Sequence, residues 1–338
     1  MGSSLEKGLP FAVYRKPEED MLTAVFQLDA SLHTTCDFDD SGFIFAPFSL
    51  EEGIVLIHPD EVFQTNIHVE GTPNTKEPFI SEAGQEEHIQ LVEKGIQAIQ
   101  SGKLKKVVLS RKIEQNISKT PMTIFKELLG SYPNAFCYLF HHPKVGTWCG
   151  ATPETLLRIK DGELKTMSLA ATLAYEENTP PKWGSKEIEE QQMVSDHISN
   201  TLGNLMEALT IEKAESVRAG NLWHLQSEVK GVPRSSTSLS SIINSLHPTP
   251  AVCGIPTKAA KEFIVQNENY QRTYYTGFLG ELNLFRPNEV SLFVNLRCME
   301  LLQDNATIFV GGGITASSVP EQEWIETQNK SKTMLRIL

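Results

Sequence analysis

Apolar positions along the chain follow two different periods. Up to residue 75 they form short runs, Phe11–Tyr14, Leu22–Leu28, Gly42–Pro47 and Ile54–His58, split by turn formers, which predicts strands. From Ser81 the spacing changes. Ile89, Val92, Ile96 and Ile99 recur at helical intervals, with Ser81 suited to the N-cap and Gly102 to the C-terminal stop. Lys105–Arg111 reads as a strand, Pro121–Gly130 as a short helix, and Ala135–Phe140 and the segment around Trp148 as further strands. A second helical stripe begins at Lys186 and carries Glu190, Val194, Ile198, Leu202, Leu205 and Leu209 on one face. After Asn221 strand-like runs return at Leu222–Val229, Thr276–Leu282 and Val290–Leu296. Helices and strands mix without regular βαβ alternation, which predicts an α+β fold rather than a doubly wound sheet.

The last stretch carries the most candidate chemistry. The apolar run Thr307–Val310 meets three glycines, Gly311–Gly313, and then a helix for which Ser318 and Glu321 have capping-box spacing. On that helix Glu323, Glu326, Lys330 and Met334 share one face. Two carboxylates and an ammonium beside a glycine turn are either a solvated surface or a site for a cation and an anionic ligand. Glu190 stands at the start of an apolar stripe, where an unpaired carboxylate is costly.

Composition narrows the function classes. The 338 residues are 40% hydrophobic and 21% charged, an ordinary globular balance for one large domain or two packed subdomains. The formal net charge of −12 and the lack of a basic patch beyond Lys103, Lys105 and Lys106 argue against a nucleic-acid partner. No apolar run approaches the roughly 20 residues that span a bilayer. The segment Met1–Lys7 has no signal-peptide character, and Glu6 stands where a myristoylation signal needs a hydroxyl residue. The five cysteines are widely spaced with no CxxC pair, which predicts reduced thiols, no zinc site and a cytoplasmic protein.

Seven segments, in order, then carry a resemblance. They are Lys106–Arg111, Gly150–Glu154, Ser168–Thr172, Glu190–Val194, His247–Ala251, Arg272–Gly277 and the glycine-led helix. Together they resemble the chorismate-utilising enzymes of menaquinone, siderophore and tryptophan biosynthesis over roughly residues 80–338. The resemblance implies two large packed antiparallel β-sheets flanked by helices. It casts residues 81–338 as the chorismate-binding catalytic part and 1–80 as a strand-rich part of the same fold. It also implies a Mg²⁺ site at the junction of the sheets.

By the same resemblance, Lys106 is the base that deprotonates the water attacking C2 of chorismate. It needs an amine kept neutral by burial or by cations such as Lys105 and Arg111. Glu154 is the acid for the departing C4 hydroxyl and must stay protonated in a desolvated setting, which its neighbours Leu156 and Leu157 permit. Glu190 and Glu326 match the metal carboxylates, with Glu323 acting through a water. Arg297, Tyr275 and Lys330 match the holders of the enolpyruvyl carboxylate, Gly311 and Gly313 backbone donors, and Thr172 and His224 residues lining the ring.

Three positions resemble the isochorismate-forming branch. Ala170 removes the lysine nucleophile of the aminodeoxychorismate branch. Lys106 stands where ammonia-using anthranilate synthases usually have Gln, so no glutaminase partner is expected. Ala251 lacks the Thr hydroxyl linked to pyruvate elimination in salicylate and anthranilate formers. The alternatives are a salicylate synthase, or a non-catalytic chorismate-binding paralogue. The second is motivated by Ala171, where the family usually has Gly, and by Leu173, where a basic residue is frequent.

Overall fold

The computed structural model describes residues 2–338 apart from 68–76, 176, 178, 220 and 221, so Asn221 lies outside the described residues. The architecture is α+β: two large antiparallel sheets packed face to face, with helices on both outer surfaces. One sheet orders its strands as Gly254–Ile255, Lys106–Asn116, Asn305–Ile314, Cys298–Leu301, Gly146–Thr152, Phe136–His142, Phe11–Arg15, Met21–Phe26 and Glu61–Asn66. The other runs Met206–Ile211, Leu222–Pro233, Glu163–Ala174, Thr155–Lys160, Val290–Val294, Phe278–Leu282, Gly42–Ala46, Ile54–Ile57 and His33–Thr35, with Glu215–Ala219 also paired to Leu222–Pro233. Strands from the first 66 residues therefore lie in both sheets.

Alternation of side chains divides each strand between two cores. Between the sheets lies an aromatic layer that includes Tyr14, Phe45, Phe136, Tyr138, Trp148, Phe293 and Phe309. The stacked pair Phe136–Phe293, with centroids 4.1 Å apart, joins the two sheets directly. Outside the second sheet, Val194, Ile198 and Leu202 of the helix Ser185–Leu202 pack on Leu157, Leu164 and Val229. Outside the first, the helices Pro121–Ser131 and Pro320–Leu335 cover Leu139, Met299 and Ile308, while Gln85–Gln100 and Thr257–Asn267 cover the edge at Lys106–Asn116.

The structure departs from the sequence reading at four places. Ser81 is not a helix cap: its hydroxyl accepts from the Ala83 amide, and the helix begins at Gln85 behind left-handed Gly84. Ser318 forms no capping box, because its hydroxyl is held by the Thr315 amide and the helix starts at Pro320. The stripe from Glu190 is not one helix. It ends at Leu202, and Leu209 belongs to the strand Met206–Ile211, although Leu205 and Leu209 still pack on the same core. The three glycines form no turn. They extend the strand Asn305–Ile314 in register with Ser110, Leu109 and Val108.

Candidate active site

Two of the predicted site residues sit where the chain passes between the sheets. Glu154 lies between Gly146–Thr152 of one sheet and Thr155–Lys160 of the other, and Arg297 between Val290–Val294 and Cys298–Leu301. Both residues line one cavity at the seam. Its walls bring together Glu154, Thr172, Glu190, His224, Ala251, Tyr275, Arg297, Gly311, Gly313, Glu326 and Lys330. Lys106 and Glu323 do not line it. Each instead lies close to the glycine strand, Lys106 against Gly313 and Glu323 against Gly312.

That strand is glycine because of its neighbours across space. A β-carbon on Gly313 would collide with Glu190 Oε1 and meet Lys106 Cε at 3.1 Å. One on Gly311 would come within 3.0 Å of the Tyr275 hydroxyl, and one on Gly312 within 3.4 Å of Glu323 Oε2 and 3.6 Å of Glu326 Oε1. The glycines carry no positive φ. What they supply is the absence of a side chain.

Glu154 is 3% exposed. Burial pushes its carboxyl up to about 8, against the opposing pull of Lys106, Arg297 and Lys330. It is thus a proton carrier at neutral pH. Lys106 is completely buried and its Nζ lies 2.8 Å from Glu190 Oε1, an ion pair without well-aligned hydrogen-bond geometry. The cations expected beside Lys106 are not there: Lys105 is exposed, and Arg111 donates to Thr327 Oγ1 and lies over the Trp324 ring.

Each of the three predicted metal carboxylates is met by a lysine. Lys106 pairs with Glu190, Lys330 with Glu326 at 2.6 Å and Lys186 with Glu323 at 2.6 Å. Lys330 also donates to the Gly311 carbonyl at 2.9 Å. Burial opposes ionisation of Glu190, but Lys106, Lys330 and Lys186 together hold it below the usual carboxylate range. Burial and then Glu326 raise Glu323, whose Oε2 makes no hydrogen bond among the described residues. No three His, Cys, Asp or Glu groups among the described residues already converge as a metal-holding set. The donors are nevertheless all oxygens around Gly312 and Gly313, one of them buried and unsatisfied, which suits a hard cation. Lys186 was not singled out in the sequence; only its i, i+4 spacing to Glu190 hinted at it.

His224 is neutral. Burial, then Arg297 and Lys330, lower it to about 3. Its Nδ1 lies 2.9 Å from the Ala171 carbonyl, so Nδ1 carries the proton and Nε2, which has no partner among the described residues, keeps a lone pair. Tyr275 stacks on Phe309 at 5.4 Å, and burial raises its phenol far above neutrality. Ala171 adopts φ +60° at a break in register between Glu163–Ala174 and Leu222–Pro233. The bulge turns Thr172 toward His224, 3.3 Å from Nδ1.

Comparison with known proteins gives a consistent picture. The model of the chorismate binding enzyme family matches residues 50–336. The isochorismate synthase DhbC of Bacillus subtilis is 30% identical over 268 residues, covering 73% of this chain and 66% of that enzyme. The chain thus spans about two thirds of the length of the isochorismate synthases it matches. The structure of MenF, the menaquinone-specific isochorismate synthase of Escherichia coli, superposes with a TM-score of 0.82 at 20% identity, over 97% of this chain and 88% of that one. Anthranilate synthase component I of Streptococcus pneumoniae gives 0.73 at 19% identity, over 96% and 90%.

Proposed function

The chain belongs to the family of chorismate-binding enzymes, and from that premise we propose that it is an isochorismate synthase. The observation that carries the reading is the buried Glu154, its carboxyl pushed up to about 8 by burial, in a cavity whose other cations and carboxylates suit a dianionic substrate. Lys106, turned from Glu190 toward the cavity, is the base that takes the proton of the water that attacks C2. Glu154 gives its proton to the C4 hydroxyl, which leaves as water, and the ring double bonds shift between the two carbons. The net change is isomerisation. Arg297 and Lys330 hold the enolpyruvyl carboxylate with the Tyr275 hydroxyl, and Gly311 and Gly313 allow backbone approach. His224 Nε2 accepts from a substrate hydroxyl, and Thr172 fixes the face of the ring.

Glu190 and Glu326, with Glu323 through a water, would hold Mg²⁺, whose charge fixes the ring carboxylate and offsets the crowding of acids. The unsatisfied Glu323 Oε2 supports that assignment. Ala251 places a methyl where a hydroxyl would assist pyruvate loss, so turnover ends at isochorismate.

The test is purified protein with chorismate and Mg²⁺, resolved by chromatography. Isochorismate as the main product supports the reading. Salicylate with equimolar pyruvate would replace it with a salicylate synthase, and chorismate binding without turnover with a non-catalytic relative.

A further inference from the structure

The motif Arg272–Gly277 contributes Tyr275 and Thr276 to the cavity, yet its first residue does not itself line it. Arg272 is 3% exposed and uses all five guanidinium N–H groups. Nε donates to Glu268 Oε2 at 2.8 Å and Nη2 to Glu268 Oε1 at 2.6 Å, a bidentate pair. The remaining donors go to the Val108 carbonyl at 2.7 Å, the Val252 carbonyl at 2.9 Å and Thr276 Oγ1 at 3.4 Å. Val108, Val252 and Thr276 all line the cavity. Glu268 in turn accepts from the Ser110 amide and hydroxyl, both at 2.8 Å.

These contacts converge on one joint. Val108 lies two residues beyond Lys106 on the same strand, and Val252 follows Ala251. Strand and loop meet edge to edge, with the Val108 amide donating to the Cys253 carbonyl at 2.8 Å and Gly254 and Ile255 paired to Val107 and Lys106. We propose that Arg272, locked by Glu268, is a positioning residue that holds the strand bearing Lys106 and the loop bearing Ala251 at a fixed separation. Through the first it sets where water is activated; through the second it sets how close Ala251 stands to the substrate side chain, and so how readily pyruvate leaves. The functional half of this inference rests on the isochorismate synthase reading. Lysine cannot substitute, because a single ammonium cannot span a carboxylate and two divergent carbonyls.

The test uses Arg272→Lys and Glu268→Gln in the full chain, each checked for cooperative melting. In the free protein, backbone amide exchange over residues 107–110 and 251–254 should accelerate about tenfold or more, while strands remote from the joint keep wild-type protection. With chorismate and Mg²⁺, kcat should fall about tenfold with KM little changed, and a larger share of turnover should end in pyruvate. Wild-type exchange in both segments overturns the proposal. So does acceleration spread evenly over both sheets, which marks loss of stability alone, and so do unchanged kcat and product ratio in an active enzyme. A wild-type chain that does not turn over chorismate removes the functional reading instead. The exchange pattern then decides by itself whether Arg272 holds the joint.

Discussion

Lys106 and Glu190 form an ion pair at 2.8 Å that ties a strand of one sheet to a helix packed on the other. The lysine is fully buried, so the pair is both a structural tie and a reservoir of charge at the seam.

Replacing Lys106 by Met should lower kcat by about 10²–10⁴-fold, the usual weight of a general base. It also leaves the partly buried Glu190 with only Lys330 and Lys186 to offset its charge, so stability should drop. Lys106→Met/Glu190→Gln removes both charges and should recover most of that stability while staying inactive. Urea denaturation of both variants checks this; equal loss in the single and double variants would contradict the pairing.

Glu154 predicts a pH dependence of definite sign. Its folded value of about 8 lies above the unfolded value near 4.5, so the folded state binds the extra proton between them. Its contribution to stability is therefore greatest below pH 4.5 and declines by about 1.4 kcal/mol per pH unit up to about 8, then levels off. Activity should likewise fall above about pH 8 as the acid form is lost. Glu154→Gln should abolish turnover and flatten that part of the stability profile. A kcat that stays level to pH 9.5 would exclude Glu154 as the acid.

The three carboxylates around Gly312 and Gly313 predict a divalent-cation requirement. Chelation should remove activity and added Mg²⁺ restore it. Glu326→Gln should raise the Mg²⁺ concentration for half-maximal activity about tenfold or more, within the range seen when a metal site loses a supporting group. A thermal shift on titrating Mg²⁺, absent in Glu326→Gln, reads the same site without substrate.

What the sequence made legible was periodic or local. Short apolar runs located most strands, and the helices at Pro121 and Lys186 began within a residue of expectation. The caps failed because hydroxyls have local competitors: Ser81 and Ser318 satisfy turn amides rather than helix ends. Consecutive glycines usually signal a turn, whereas here the demand for no β-carbon comes from Glu190, distant in sequence and adjacent in space. Eleven of the residues singled out by family resemblance line one cavity. Lys186 and Arg272 escaped notice as functional residues because their partners, Glu323 and the Val108 and Val252 carbonyls, are set by tertiary contact alone.

Ala171 stands where the family usually has glycine, and its φ of +60° explains that preference. A left-handed alanine costs about 1 kcal/mol relative to glycine. The greater freedom of the unfolded chain offsets about half of that or more, so Ala171→Gly should raise stability by only about 0.5 kcal/mol. Thermal unfolding should show a rise of about one degree or less, because the unfolding entropy of so long a chain is large. A fall would mean that the bulge, rather than the methyl, sets the local energy.

Ala251 is half-buried beside Val252 and lines the cavity. Ala251→Thr adds a hydroxyl and a methyl group at a half-buried position, so the variant should fold and retain the first step. If the missing hydroxyl is what stops turnover at isochorismate, Ala251→Thr should release pyruvate in step with a new aromatic product. Lactate dehydrogenase coupling detects it continuously, and the ratio of pyruvate to chorismate consumed should rise several-fold over wild type. Lys106→Met/Ala251→Thr should release none, because elimination acts on isochorismate and needs the base to form it. Pyruvate release that persists in the double variant would instead mean that elimination proceeds directly from chorismate, and that Ala251 restrains a reaction independent of Lys106.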